Sequence, residues 1–566
     1  MKNNLTVLLS LLFICSNVLI AQDTLQVVPF TGQSDYVSLT DIVHGDTLAD
    51  GARQNVNRVY KLEKGGFYLL DGRIEANEFD LVIIGEPGDD TTPPPTIAHD
   101  VDAEGNHAFD MFRVGLNATF KNILFNASDV NDSPSKRFID VNSLDSKIII
   151  DNCVFVNFLN RLIDLRGIVG TSIFVTNNLA INVNDSNNEW GAHIFLTANT
   201  DGDTMWVQNN TFFNFGHNGT SPGTQFDFSW WNHNTFVNFG HRLLGHDYND
   251  EHYFTENVLY NISIIGEDST WFPSAGGTWE ALFGLVDTDT LVGGPNADRV
   301  LWYDANSTQN SESFDLLYDN YSGNTQRLYI PVMGERLQWI IADDQTWPKA
   351  GVGNWYDAHP NFTDEAVVVS NLEKQTSWAL EEWADSTPVE RTNRVWDMDG
   401  DDRPITTPWP IPLDLSYTNS ELLTAGHGNL PIGDLNWFPA EKAQWENSKG
   451  TYEQKIKNME PAIITSIDDV DLLASEFYLQ QNYPNPFNPS TKIKFNLKRS
   501  TDVKISIFNV LGQEVKILVD KNMNVGNHTT KWNGTDRFNN KVNSGMYFYK
   551  LEADNFVQVR KMMLLK

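Results

Sequence analysis

Asn210–His217 reads NTFFNFGH, and Asn234–His241, 24 residues further on, reads NTFVNFGH. Two nearly identical octapeptides at that distance mark an internal repeat. Aligned on the Asn of FFNF, six segments match: NILFNA at Asn126, CVFVNF at Asn157, NLAINV at Asn182, the two octapeptides at Asn214 and Asn238, and NVLYNI at Asn261. The spacings of 31, 25, 32, 24 and 23 residues vary too much for helical repeats of fixed length. They suit a coil with a constant core and turns of changeable length.

Each repeat resolves into further strand-like runs. KIIID, SIFVT, TMWVQ and EHYFT precede the motif; RFIDVNS from Arg137, RLIDLRG from Arg161, AHIFLTA from Ala192, TQFDFSW from Thr224 and RLLGHDY from Arg242 follow it. Three short strands per coil, stacked in register, predict an all-β fold, a right-handed parallel β-helix. Four residues before the aligned Asn stand Asn122, Asn178, Asn210, Asn234 and Asn257, with Cys153 in line. Asn tolerates left-handed backbone at a sharp turn, and amides stacked about 4.8 Å apart can bond from coil to coil. These columns are read as a structural turn ladder.

Upstream, Val59–Gly88 resembles the opening coils and N-terminal cap of β-helix proteins, and Pro93–Pro95 is a loop. Downstream of Trp271 the pattern fades. Residues 300–460 carry ten of the 17 Trp and many loop signals, which reads as irregular coils plus a cap.

Composition bounds the setting. Residues 1–21 combine one Lys, an apolar run from Leu5 to Ile20 and a small Ala21, a secretory signal peptide cleaved after Ala21. Lipidation at Cys15 is set aside because Ile14 stands where a lipoprotein signal has Gly or Ala. No later segment has the length and apolarity of a transmembrane span. Cys153 is then the one remaining thiol, so packing and backbone bonds must hold the fold, and Cys153 itself reads as a small buried hydrophobe. The net charge of −34 is uneven: residues 477–566 hold 14 Lys and Arg against 6 Asp and Glu, and the rest of the chain holds 26 against 68. The acidic part excludes a nucleic-acid partner, whose phosphates demand a basic face, and is compatible with Ca²⁺.

The basic end is a separate module. QQNYPNPFNPS at 480–490 is a proline-rich entry, and alternating runs such as Ile493/Phe495/Leu497 and Val503/Ile505/Ile507 predict a small immunoglobulin-like β-sandwich. NYPNPFNPSTKIKFNL, IFNVLGQEV and SGMYFYKLEADNFVQVRKMMLLK, in that order, resemble the C-terminal sorting domain of the type IX secretion system of Bacteroidetes-like bacteria. The resemblance covers residues 477–566 and implies recognition by that secretion machinery, with release or attachment at the outer surface. The expected organisation is therefore signal peptide 1–21, cap and first coils 22–120, regular coils 121–300, irregular coils and cap 301–460, linker 461–476 and sorting domain 477–566.

Candidate chemistry lies on the strand after each repeat. In FIDVN, LIDLR, HIFLT and QFDFS one parity is apolar and points inward, leaving Asp140, Asn142, Asp164, Arg166, His193, Phe195, Thr197, Gln225, Asp227 and Ser229 outward, with Arg137, Arg161 and Arg242 just before. Asp140 and Asp164 fall on adjacent coils, where paired carboxylates share a proton, bind a cation or meet an arginine. The stripe resembles the groove of pectate-lyase-like enzymes. The resemblance implies Ca²⁺ on Asp140 and Asp164 and an arginine base (Arg161, Arg166 or Arg242) removing the proton α to a uronate carboxylate. No lyase signature carries over residue by residue. A glycoside hydrolase would instead use two or three of Asp140, Asp164 and Asp227 as acid and base.

Other signals are thinner. His241, His246 and His252 stand near Asp247, Asp250 and Glu251 without a tight metal-ligand spacing. DMDGDDR places Asp397, Asp399 and Asp401 in a polar turn or irregular Ca²⁺ site, since Gly400 at loop position 4 excludes an EF-hand. LPIGDLNWFP from Leu430 resembles a closing motif of pectate-lyase-like proteins. The expected function is a secreted or surface-attached β-helix acting on polysaccharide, as a uronate lyase. The alternatives are a non-catalytic carbohydrate-binding or adhesive protein and a purely structural exoprotein.

Overall fold

The structure, a computed structural model, describes Thr24 to Leu565 except for several segments, the longest being 269–282, 286–298, 315–326, 329–339 and 459–477. The signal peptide and the linker segment lie outside the described residues. Two compact units divide at Lys449 and Gly450.

The first unit is a parallel β-helix. Strands repeat onto sheets of eleven, ten and five members, each strand pairing in parallel with its counterparts one coil earlier and later. One column of the eleven-stranded sheet runs Tyr60, Ile83, Phe120, Ile150, Val175, Val207, Trp231, Phe254 and Tyr303, in register and buried. The two octapeptides pair residue for residue, with Phe212 stacked on Phe236 (5.3 Å between ring centroids) and Phe215 on Phe239 (4.9 Å). Burying such side chains contributes about 1.5–3 kcal/mol each, the main term holding coils together. A helix, Leu39–Gly45, capped by the Ser38 side chain, packs Leu39 and Val43 against the first coils.

The five-stranded sheet ends at His193–Leu196. TQFDFSW, whose alternation suggested the same sheet, instead lies in Thr224–Asn232, which pairs with Thr200–Gln208 in the eleven-stranded sheet. The reason is coil length. With 24 residues to a coil the third side narrows to residues 218–220, where the Phe195 N–H donates to the Gly219 carbonyl (2.9 Å) and Phe195 bridges Thr220.

The turn columns are real and shifted by one at the start. Asn122, Asn152, Asn177 and Asn209 adopt left-handed backbone (φ 53–59°), and His233 and Glu256 continue that column with φ 53° and 60°. The next residue in each coil forms the ladder. The Cys153 N–H donates to Asn178 Oδ1, and the amides of Asn178, Asn210, Asn234 and Asn257 donate in turn to Asn210, Asn234, Asn257 and Asn306 at 2.9–3.0 Å. Asn122 thus belongs to the left-handed column beside the ladder, where it accepts from Asn152 (2.8 Å). The first repeat is one residue shorter, so Asn126 pairs with Val156 and not Asn157. Asn157, Asn182, Asn214, Asn238 and Asn261 form a second left-handed column.

Beyond residue 300 the chain adds strands of two further coils and then changes role. The helix Glu365–Ala384 and the segments 394–400 and 407–438 lie against the outer face of the ten-stranded sheet. They bury its outward Leu124, Val156, Ile181, Phe213, Val237 and Val258 under Val368, Leu413, Leu415, Tyr417 and Ile432. The second asparagine column fastens this strap: Asn182 exchanges bonds with Trp396 backbone (both 2.9 Å), Asn214 donates to the Arg394 carbonyl (2.9 Å), and Asn238 to the Val368 carbonyl (2.8 Å). What reads as irregular coils is largely a strap that seals an apolar sheet face.

The second unit holds two antiparallel sheets. One joins Tyr478–Leu479, Thr491–Leu497 and Gly526–Trp532; the other orders Glu514–Met523, Thr501–Asn509, Gly545–Ala553 and Phe556–Leu564. Ile493, Phe495, Ile505, Ile507, Trp532, Tyr549 and Leu551 form their shared core, as expected of a small sandwich. No helix among the described residues is long and apolar enough to cross a membrane.

Candidate functional site

The stripe singled out in the sequence is the outer face of the five-stranded sheet. Asp140 and Asp164 stand in register on adjacent coils, as do Arg137 and Arg161. One coil earlier Asp110 is in register with Arg137, and Arg113 with Asp140. Like charges in register would repel; Asp110 and Arg113 face opposite charges one coil on, and Arg137 relieves the conflict with Arg161 by reaching diagonally to Asp164.

Arg137 is the hub. It bonds both oxygens of Asp110 on one side, through Nε and through Nη2 at 2.8 Å, and its Nη1 bonds Asp164 on the other. Asp164 further accepts from Arg166 Nε and Nη2 (both 2.9 Å) and lies 3.3 Å from Arg161 Nε. Asp140 takes Arg113 through Nε (2.9 Å) and Nη2 (2.7 Å). Arg73 ties Asp110 (3.1 Å) to Glu75. Asp110 and Asp164 are buried at 0% and 1% exposure, which is tolerable only because each is paired and hydrogen-bonded. Burial would raise the Asp164 carboxyl, but Arg166, Arg161 and Arg137 outweigh it and hold the group below the usual carboxylate range.

A general base needs an oxygen aimed at substrate, whereas each of these carboxylates is engaged by at least one arginine. Five arginines (73, 113, 137, 161, 166) meet four carboxylates, so the face leans positive on a strongly acidic protein. Arg73, Arg113 and Glu75 escape a reading built on the later repeats, although DMFRV at Asp110 carries the same alternation as RFIDV.

The other expected members lie apart. His193 is in register with Arg161, but its strand is offset by one relative to the sequence alignment. Phe195, expected outward, therefore faces the core (0% exposed) and packs on Trp231 at 5.6 Å, because an apolar ring wins the inward position over the pattern of its neighbours. Thr197, also expected outward, is buried. His193, His217 and His241 form a buried row, the first pair edge-on and the second tilted, with ring centroids 4.7 and 4.4 Å apart. Asp227 is exposed on the eleven-stranded sheet, in the strand paired to Thr200–Gln208, and does not join the stripe. Arg242 and Asp401 lie outside the described residues. In DMDGDDR the Gly400 N–H closes a turn on Asp397 Oδ1 (2.9 Å), with Asp399 exposed. Among the described residues no three His, Cys, Asp or Glu gather as a metal site. Cys153 is buried, and burial pushes its thiol up to about 12.

LPIGDLNWFP has a clear place. Gly433, at φ +81°, donates its N–H to the Glu256 carbonyl (2.7 Å), and the Asp434 N–H donates to Thr235 Oγ1 (2.9 Å). Asn436 donates to the Asn209 carbonyl (3.0 Å), and Trp437 Nε1 to Thr211 Oγ1 (2.8 Å). The motif clips the strap to the left-handed column.

Residues 481–565 match the family described as the secretion system C-terminal sorting domain. That tail marks the chain for secretion to the cell surface or extracellular space by the type IX route. Curated protein sequences give no match. Among solved structures, similarity is found to dimeric latent PorU from Porphyromonas gingivalis (17% identity, TM-score 0.15, 16% of this chain and 10% of that one). It is also found to PorZ, a surface component of the type IX secretion system of the same organism (18%, 0.12, 16% and 11%). The chain thus spans about a tenth of the length of each.

Proposed function

We propose that the chain is a surface-displayed β-helix that binds polysaccharide without cleaving it. The observation that carries this reading is the saturation of the carboxylates on the five-stranded sheet: Asp140 and Asp164 hold arginines where a lyase or hydrolase would need a cation site or a proton donor. What remains at the surface is a flat row of guanidiniums. The side chains of Arg166, Arg113 and Arg73 are 50%, 31% and 24% exposed, each fixed at its inner edge by a carboxylate. A guanidinium has five N–H donors in a rigid plane, suited to the hydroxyls or carboxylates of a sugar chain lying across coils.

The test is a binding panel of neutral and uronate polysaccharides, with and without Ca²⁺, run beside an absorbance assay for new unsaturated ends. Retention that weakens at least fivefold in R113A/R166A supports the reading. Turnover of any polymer, lost in D140N or D164N, replaces it with the lyase or hydrolase reading. No retention by any polymer leaves the purely structural exoprotein.

A further inference from the structure

The last strand of the second unit, Phe556–Leu564, lies at the end of its four-stranded sheet, beside Gly545–Ala553. Its even-numbered residues turn toward the shared core, where Met562 and Leu564 are buried. Its odd-numbered residues turn away. Water-facing positions on an antiparallel strand at a sheet edge are normally polar or charged, which discourages pairing with other chains. Here Val557, Val559, Met563 and the following Leu565 are between 37% and 58% exposed, and only Lys561 follows the rule.

The neighbouring strands extend this surface. Met546 pairs with Met563, and one row across all four strands runs Ile517, Ser506, Lys550 and Val559, with Ile517 exposed. The second unit is the smaller, yet it holds seven of the fifteen large exposed hydrophobics among the described residues, and six of the seven lie on this face. Its charges do not favour either sign. Lys504, Lys550 and Lys561 are met by Asp502, Glu514, Asp520 and Glu552, with Lys550 2.7 Å from Glu552 and Lys504 3.8 Å from Glu514. Residues 477–566 hold 14 Lys and Arg and 6 Asp and Glu, so four of the six acids sit here and the basic excess lies elsewhere.

We propose that this sheet face is the surface by which the type IX secretion machinery holds the chain, and that the component holding it presents an apolar, uncharged surface. Residues 481–565 are a sorting domain, so the machinery is the partner this unit has to meet. A contiguous apolar patch with a polar rim is how a protein surface marks such a meeting. The core of the sandwich is built from the opposite parity, Val503, Ile505, Tyr549 and Leu551 among them, so folding does not dictate these outward residues. The balanced charges give an acidic partner nothing to hold, and the attraction is the removal of apolar side chains from water.

Export of the full chain in a bacterium with a working type IX system tests this, by immunoblot of the chain outside the cell against the chain held in the periplasm. V557T/V559T keeps β-branched side chains of the same shape, so the purified variant should melt as the wild type does. Its export should fall at least fivefold. L144S/V169S removes exposed apolar side chains from the coils, and K531E reverses an exposed charge on the other sheet of the sandwich. Both should be exported like the wild type. Should V557T/V559T melt lower, I517T/M546Q applies the same criterion from the neighbouring strands. Wild-type export of the variant that folds overturns the proposal. So does a full chain that runs as a dimer on size exclusion and as a monomer in that variant, because the occupant of the face is then a second copy.

Discussion

Two ladders climb the coils, one of asparagines at a turn and one of aspartates and arginines on a sheet face, and their chemistry makes different demands on sequence. A primary amide carries both donor and acceptor, so the same residue can stand on every rung: Asn178, Asn210, Asn234 and Asn257 each receive and pass on a bond, and Asn306 receives the last. Charges cannot repeat in that way. Asp140 opposite Asp164 and Arg137 opposite Arg161 would repel if they met squarely, so Arg137 pairs with Asp110, which faces it one coil earlier, and reaches diagonally to Asp164 one coil later. A neutral ladder prints itself in the sequence as a column; a charged one is woven between columns.

The sharpest way to break the comparison is Arg137→Ala. It takes the shared arginine from two buried carboxylates, leaving Asp110 to Arg73 and Asp164 to Arg166 and Arg161, and removing one member of such a buried network costs about 3–5 kcal/mol. Urea unfolding followed by far-UV circular dichroism should show the midpoint of the coil transition falling sharply. Asn210→Ala comes next. It deletes one rung and leaves the Val175 and Gln208 carbonyls and the Asn178 N–H without their partner, a loss of about 2–4 kcal/mol on the same measurement. If Asn210→Ala costs as much as Arg137→Ala, the distinction between a woven and a stacked ladder fails.

How much of this the sequence discloses follows from the same chemistry. The β-helix, the asparagine ladder from Asn178 onward and the phenylalanine stacks are legible because like meets like one coil away. Asn122 is misplaced by one because its repeat is a residue shorter, and TQFDFSW is misplaced because a strand's alternation does not say which side of the coil it occupies. The Asp–Arg stripe is legible as a location. Its pairing is not, because alternation shows that Asp140 and Asp164 share a face but not how far an arginine reaches. The strap is least legible. Its contacts lie some two hundred residues away in the chain, and its apolar residues follow no period of 2 or 3.6 that could reveal them.

Gly433→Ala probes the place where the asparagine turn meets the strap. A Cβ there would sit 2.7 Å from Thr235 Oγ1 and 3.0 Å from Val258 Cγ2, on a backbone at φ +81° that disfavours any side chain. The expected loss is about 1–3 kcal/mol. It should appear as faster proteolysis of the strap at constant protection of the coil core, since the clip, not the ladder, is displaced.

Arg166→Ala is the mildest case, and pH sharpens it. Half-exposed and screened by water, Arg166 contributes about 0.2–1 kcal/mol at neutral pH, far less than Arg137 on the same carboxylate. Asp164 is held below its ordinary 3.8, so the ionised form is the one the fold prefers. The stability it contributes is full above that value and is lost as pH falls through the lower, folded one. The gap between wild type and Arg166→Ala should therefore be constant from pH 7 to 5 and close below about 3.8, where the carboxyl takes up its proton in both proteins. The asparagine ladder has no titrating group, so the deficit of Asn210→Ala should keep its size over the same range. A deficit in Arg166→Ala that persisted unchanged into acid would mean that the arginine acts through its packing on the sheet and not through the charge of Asp164.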